Sequence, residues 1–173
     1  LQKAMDAANA GQHDAAIAAY EAILVKTPAL TMINGQIAQV KRMKKDYDGA
    51  IASYQKVLAA DPNNDKSKIE IGMTYLEKGD FANAEKWLLE VATSTSASRE
   101  VFYNLGEVKF AKAETDEAVK YYQRAVDMDG TWGKPLFKIG LAKLQKADMA
   151  GALEIMEKVI AVDPNSPEAA QAK

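Results

Sequence analysis

One recurrence constrains this chain more than any other property. Ala16, Ala50, Ala84, Ala118 and Ala152 stand 34 residues apart, from one end of the sequence to the other. Four positions later the series runs Tyr20, Tyr54, Leu88, Tyr122 and Met156, and further on Ile23, Val57, Val91, Ala125 and Val159. Pro28, Pro62 and Pro164 share another phase, with Ser96 and Gly130 filling its gaps. Ala38, Gly72, Gly106 and Gly140 mark a fifth. No insertion breaks the register, so the chain is an array of similar units and its core is distributed among them.

Each unit reads as two helices. In the stretch 65–98, apolar residues recur at Ile69, Met73 and Leu76 and again at Ile71 and Tyr75, the two-sided pattern of a helix packed on more than one neighbour. Gly79-Asp80 interrupts it, and Gly11-Gln12, Lys45-Asp46, Ala113-Glu114 and Ala147-Asp148 are the equivalent breaks. A second helix is expected from Phe81 to Val91. Asp61-Pro62 and Asp163-Pro164 end helices, because proline restrains its predecessor and cannot extend the hydrogen-bond ladder. The serine- and threonine-rich segment 93–98 is the corresponding, looser turn. Glycine or alanine on the small phases lets paired helices approach closely, and the large Tyr20, Tyr54 and Tyr122 fill the wedge between units.

Composition removes several functions. With no cysteine and one histidine among 173 residues, thiol chemistry, disulfides and cysteine-based zinc or iron-sulfur sites are excluded. His13 falls in a turn beside Asp14 and reads as a surface residue. No carboxylate cluster has calcium-loop spacing, and Gly130 to Gly133 lacks the phosphate-loop pattern, so neither metal nor cofactor is expected. No serine or threonine has an evident acid-base partner, and the chain reads as non-enzymatic. A formal charge of -2 without a basic stripe argues against nucleic acid. The longest uncharged stretch, 27–39, contains Pro28, Asn34 and Gly35 and falls short of a membrane helix, so no direct membrane insertion is expected. Starting at Leu1 rather than methionine points to an excised or processed piece. The compartment stays open, cytoplasmic or exported, because absence of cysteine suits either.

These phases resemble the tetratricopeptide repeat, a 34-residue helix-turn-helix motif. Its small eighth residue matches Ala38, Gly72, Gly106 and Gly140; its twentieth, the alanine series; its twenty-fourth, the tyrosine series; its thirty-second, Pro28, Pro62 and Pro164. The tyrosine of position eleven is kept only as Tyr75, with Lys41, Lys109 and Lys143 elsewhere, and the tryptophan of position four is absent. The resemblance implies an all-α superhelix, or solenoid, forming one domain over 1–173. In it, a partial unit 1–30 precedes complete units 31–64, 65–98, 99–132 and 133–166, and 167–173 opens a cap or a further helix.

The same resemblance implies a non-enzymatic module or assembly scaffold that binds a protein or peptide segment in a groove made by the first helices. Carried onto this sequence, the groove positions include Met32, Gly35, Gln36, Gln39 and Met43, then Lys66, Ile69, Glu70, Met73 and Glu77. The later units contribute Glu100, Tyr103, Asn104, Glu107 and Phe110, then Lys134, Phe137, Lys138, Leu141 and Gln145. Ile69, Met73, Tyr103, Phe110, Phe137 and Leu141 make an apolar stripe, expected either to meet a partner or to pack on neighbouring helices. Some relatives hold a peptide's terminal carboxylate in a five-residue clamp. Asn104, Lys134 and Lys138 match three of those positions, but Ile69 and Met73 replace the other two, which leaves half a clamp or a solvated face. Lys44, Lys78, Lys112 and Lys146 share one phase at first-helix ends, where they complement the helix dipole. Self-association, with one copy docking on another in a structural scaffold, is the alternative reading.

Overall fold

The computed structural model describes residues 1–94 and 97–173; Ser96, one member of the proline phase, lies outside them. Among the described residues every regular element is an α-helix. In chain order they are α1 (Gln2–Asn9), α2 (His13–Lys26), α3 (Ile33–Met43), α4 (Tyr47–Ala60), α5 (Asp65–Lys78) and α6 (Phe81–Ala92). There follow α7 (Arg99–Ala111), α8 (Thr115–Met128), α9 (Gly133–Gln145), α10 (Met149–Val162) and α11 (Pro167–Ala172). The architecture is an all-α array of helix-turn-helix repeats of the α-solenoid class.

The turns inside the pairs are built identically. Gly11, Lys45, Gly79, Ala113 and Ala147 all take left-handed φ values, between 60 and 84°. The next residue then reaches back to the helix it has left: the N–H groups of Gln12, Asp46, Asp80, Glu114 and Asp148 each donate to a carbonyl five residues earlier, at 2.9 Å. This satisfies carbonyls that a helix end otherwise leaves open. Where the post-turn residue is aspartate it also caps the following helix. Asp46 accepts from the Gly49 N–H at 3.0 Å, Asp80 from Asn83 at 3.2 Å and Asp148 from Gly151 at 2.9 Å. Glu114, one methylene longer, instead pairs with Lys109 at 2.7 Å and Lys112 at 2.8 Å.

Contacts group the helices into two compact units, Leu1–Trp87 and Leu88–Lys173. In the first, consecutive helices from α1 to α5 pack on one another. One core joins Ala4, Ala16, Tyr20, Ile33, Ile37 and Val40; a second joins Ala38, Ile51, Tyr54 and Ile71, with Leu58, Tyr75 and Trp87 around it. In the second, α7 to α10 pack in sequence and α11 lies on both α9 and α10. Val101, Leu105, Val108, Ala118, Tyr122 and Ala125 are fully buried there, and Leu136, Phe137, Val159 and Ala169 form the core beneath α11.

Ion pairs tie helix pairs together at a fixed interval. Lys44 meets Asp14, Lys78 meets Asp48 at 2.6 Å, and Lys146 meets Asp116 at 2.5 Å, each thirty residues apart. The lysine phase therefore does more than complement the helix dipole: it supplies one side of a ladder. The paired lysines hold the Asp14 and Asp116 carboxyls below the usual range, and the Asp48 carboxylate raises Lys78. At the fourth register position, thirty residues before Lys112, the sequence carries Ala82 and no carboxylate.

Two measurements test this packing. A Cβ on Gly106 would overlap the ring of Tyr122, which is fully buried. On Gly140 it would crowd the flexible end of Met156, with Cε at 2.7 Å and Sδ at 3.1 Å, and make an ordinary contact with Ile155 at 3.5 Å. Gly106→Ala should therefore cost about 1–3 kcal/mol, while Gly140→Ala, aided by alanine's better helix propensity, stays within about 1 kcal/mol of the parent. Urea midpoints of the two variants, expected to be well separated, decide it. Ala113→Gly relieves a left-handed alanine, and we expect a gain on the order of 0.5–1 kcal/mol in the same assay. An unchanged or lower midpoint would show that the turn carries no strain.

Candidate interaction grooves

In the first unit the first-helix face opens into a cleft of about 160 Å³ between α3 and α5. Met32, Gly35, Gln36 and Gln39 line one wall, Lys66, Ser67 and Glu70 the other, and Tyr54 and Val57 of α4 contribute from behind, with Asn64 beside them. Local structure fixes that second wall: the Asn64 side chain accepts from the Ser67 N–H at 2.9 Å, starting α5 and setting the rotation of Lys66 and Glu70. Glu70 is held from two directions. Arg42 donates to it at 2.6 Å and also lies 3.8 Å from Glu77, and the Tyr54 hydroxyl donates at 3.5 Å. Burial, reinforced by the Glu70 charge, pushes the Tyr54 phenol far above its ordinary range. Gln39 lines this cleft and is exposed. Ile69 and Met73 are half-buried and do not line it.

The second unit carries the remaining expected residues in a different condition. Tyr103, Asn104 and Phe137 are buried, at 7%, 6% and 9% exposure. Phe137 belongs to the core with Leu136, Val159 and Ala169, and Leu141 packs against that core, so here the apolar stripe is largely internal. Glu107, Phe110, Lys138 and Leu141 are half-buried; Lys134 is exposed.

Charge in this unit is internally matched. Glu107 accepts from the Tyr122 hydroxyl at 2.5 Å and from Lys138 at 2.9 Å. Lys134 sits 5.0 Å above the Tyr103 ring, whose neighbours are Tyr122 at 5.7 Å and Trp132 at 5.2 Å. Arg99 stacks over Trp132 at 4.7 Å and pairs with Asp129. Of the three clamp-matching residues, Asn104 is therefore buried, Lys138 is neutralised by Glu107, and only Lys134 presents a cation to solvent. Sequence reasoning did not connect Lys138 with Glu107, 31 positions away, and read Tyr54 only as a wedge between units. Its phase, shared with Tyr122, was the available signal that both phenols face a first helix.

Sequence models of the tetratricopeptide repeat match residues 1–65, 42–102, 100–131 and 136–166. Among solved structures, a crystal structure of MamA is 34% identical, with 79% of this chain and 80% of that one aligned and a TM-score of 0.67. This chain belongs to the tetratricopeptide-repeat family. MamA 41-end from Desulfovibrio magneticus RS-1, at 20% identity, aligns over 95% of this chain and 93% of its own with a TM-score of 0.79. YrrB, described as a TPR protein with an unusual peptide-binding site, is 19% identical over 98% and 87%, with a TM-score of 0.70. At those identities the likeness is one of fold. No curated protein matches by sequence.

As a tetratricopeptide-repeat protein the chain is a protein-interaction module of a generally non-catalytic family. Among the described residues no group of three or more His, Asp or Glu side chains could hold a metal ion, and no helix is long and apolar enough to cross a membrane.

The buried phenols give this face a measurable signature. Burial raises Tyr20, Tyr54, Tyr103 and Tyr122, with Glu70 also acting on Tyr54 and Glu107 on Tyr103 and Tyr122. The folded chain thus keeps protons that the unfolded chain releases above about pH 10. Their stabilisation is present below that pH and is lost as pH rises beyond it. In an alkaline titration followed by phenolate absorbance, four of the seven tyrosines should ionise above the ordinary range, and Tyr54, Tyr103 and Tyr122 only together with loss of helicity. All seven ionising near pH 10 with the circular dichroism unchanged would contradict the assignment.

Proposed function

We propose that the chain binds an extended segment of another protein along its first-helix face, each unit presenting its own stretch of groove. The observation that carries this reading is the open α3–α5 cleft. It combines the exposed Gln36 and Gln39 amides, an exposed Met32 and the aromatic wall of Tyr54. Amide side chains offer both donor and acceptor to a peptide backbone, and methionine adapts to differing apolar side chains. Ile69 and Met73 in the first unit, and Phe110, Lys134, Lys138, Leu141 and Glu107 in the second, are further contact residues. Tyr103, Asn104 and Phe137 act from beneath as the floor that positions them.

A test is to select peptides from a random twelve-residue library on the intact chain and measure their affinity for variants. Because Gln36 and Gln39 are exposed, Gln36→Ala/Gln39→Ala should leave helicity intact. We expect it to weaken the selected peptides about tenfold, about 1.4 kcal/mol. Peptides that bind parent and variant alike would refute groove binding.

A second reading, docking of one copy on another, is favoured by Met149 and Leu153. They lie one turn apart on α10 and are 68% and 63% exposed, whereas the register-equivalent Ile51 is buried against Ile71 and its neighbours. Mass measurement across a concentration series separates the readings; a strict monomer at high concentration excludes self-association.

A further inference from the structure

We propose that the first-helix face of the first unit is a site of reversible methionine oxidation. A hydroperoxide converts the thioethers of Met5, Met32 and Met43 to sulfoxides, which releases a bound partner without unfolding the chain. This rests on the groove reading above and adds regulation at the same site.

The placement of sulfur is unusually regular. The first unit holds four methionines, Met5, Met32, Met43 and Met73, and each lies on a first helix or, for Met32, at the N-cap of one. Met5 and Met73 share one phase, two repeats apart, and Gln39 occupies that phase in α3. Met32 stands seven residues before Gln39 and Met43 four after it. At about 100° per residue, these three positions fall within about 40° of one another around the helix, so they form a single line along it. Met32 and Gln39 line the cleft, which assigns the line to the groove face. Met32 is 79% exposed, Met43 54% and Met5 41%, while Met73 is half-buried. In the second unit the same positions carry Glu100, Glu107, Ala111, Lys134, Leu141 and Gln145. Its methionines, Met128, Met149 and Met156, lie on the second helices α8 and α10.

Charge gives the groove of the first unit no selectivity of its own. Arg42 lies 2.6 Å from Glu70 and 3.8 Å from Glu77, and with Lys66 on the cleft wall these four ionised groups cancel. Affinity there depends on the Gln36 and Gln39 amides and on apolar contact, to which the exposed thioethers contribute. With no cysteine in the chain, thioethers are its only oxidisable sulfur. The sulfur lone pair takes the hydroxyl oxygen of the hydroperoxide as the O–O bond breaks. The proton of that hydroxyl passes to the departing alkoxide or hydroxide, giving alcohol or water, and the peroxide gains the two electrons that sulfur loses. The resulting S=O group is a hydrated acceptor, which an apolar side chain can cover only by stripping its water. The cores of this unit are built from alanine, valine, isoleucine, leucine, tyrosine and tryptophan, so they survive the change. Sulfoxide reductases return both epimers to the thioether with electrons from thiols, which makes it reversible.

The test treats the intact chain with a small excess of hydrogen peroxide and follows each methionine by peptide mass mapping. Met5, Met32 and Met43 should oxidise several-fold faster than the half-buried Met73 and Met156, with circular dichroism unchanged. Peptides selected on the reduced chain, and weakened by Gln36→Ala/Gln39→Ala, should bind the oxidised chain about tenfold more weakly and recover after reductase treatment. Saturating peptide should slow the oxidation of Met32 and leave Met128 and Met149 unaffected. Met5→Leu/Met32→Leu/Met43→Leu keeps the line apolar and should bind equally before and after peroxide, whereas Met128→Leu/Met149→Leu should remain as sensitive as the parent. Groove-dependent peptides that bind the oxidised chain at parent affinity, or that leave Met32 unprotected, would overturn the switch and leave the groove standing. So would oxidation that leads at Met73 or Met156, or that lowers helicity together with affinity. Peptides indifferent both to Gln36→Ala/Gln39→Ala and to peroxide, or a library that yields none, would overturn both readings.

Discussion

The distance of closest approach between the two helices of a pair governs most of what is built on them. Alanines 16, 50, 84, 118 and 152 are all essentially without solvent exposure, so second helices meet their neighbours backbone to backbone at that level. At Gly106 the interlock is tightest, because the flat face of Tyr122 occupies the volume that any side chain would need. That contact delivers the Tyr122 hydroxyl to Glu107, and through Glu107 it fixes Lys138. A packing constraint deep in the pair thus decides which charges reach the groove. Tyr54 repeats the arrangement with Glu70 and Arg42, the carboxylate now coming from the following first helix. One aromatic phase serves two differently wired faces.

The turns explain why the array tolerates its divergence. Two of the five left-handed positions are glycine, and three are lysine or alanine, which adopt that conformation at a cost. The back-donated hydrogen bonds are the same length in all five, so the surrounding geometry, rather than the residue, enforces the bend. Aspartate caps at three of the following helices offset part of that cost.

Much of this was readable beforehand, for a physical reason. A repeat makes every structural requirement appear several times, so Lys45, Ala113 and Ala147 could be placed in turns by phase although nothing in their chemistry says turn. Register also assigns each residue to a helix and a face, which located Met32, Gln36, Gln39, Lys66 and Glu70. It says less about depth. Tyr103 and Phe137 lie on the expected face yet are buried, because α11 packs on α9 and α10 and Trp132 packs on Tyr103. The lysine phase was visible, but its aspartate partners were not, since a pairing thirty residues apart depends on how one helix pair is offset from the next. Lys138 escaped for the same reason: Glu107 lies on another helix.

The interval of thirty residues in the ion-pair ladder has a dynamic consequence. Each rung closes a loop slightly shorter than one repeat, and the apolar clusters also join helices that are neighbours in sequence. Such a molecule has low contact order, so its helix pairs can assemble without waiting for distant segments to meet. The same locality makes opening piecemeal. Amide protection should then vary along the chain, deepest around fully buried Leu105 and Tyr122 and shallow at the short terminal helices, instead of sharing one global value. An interaction module of this kind can loosen one helix pair to admit a partner while its next neighbours in sequence remain folded.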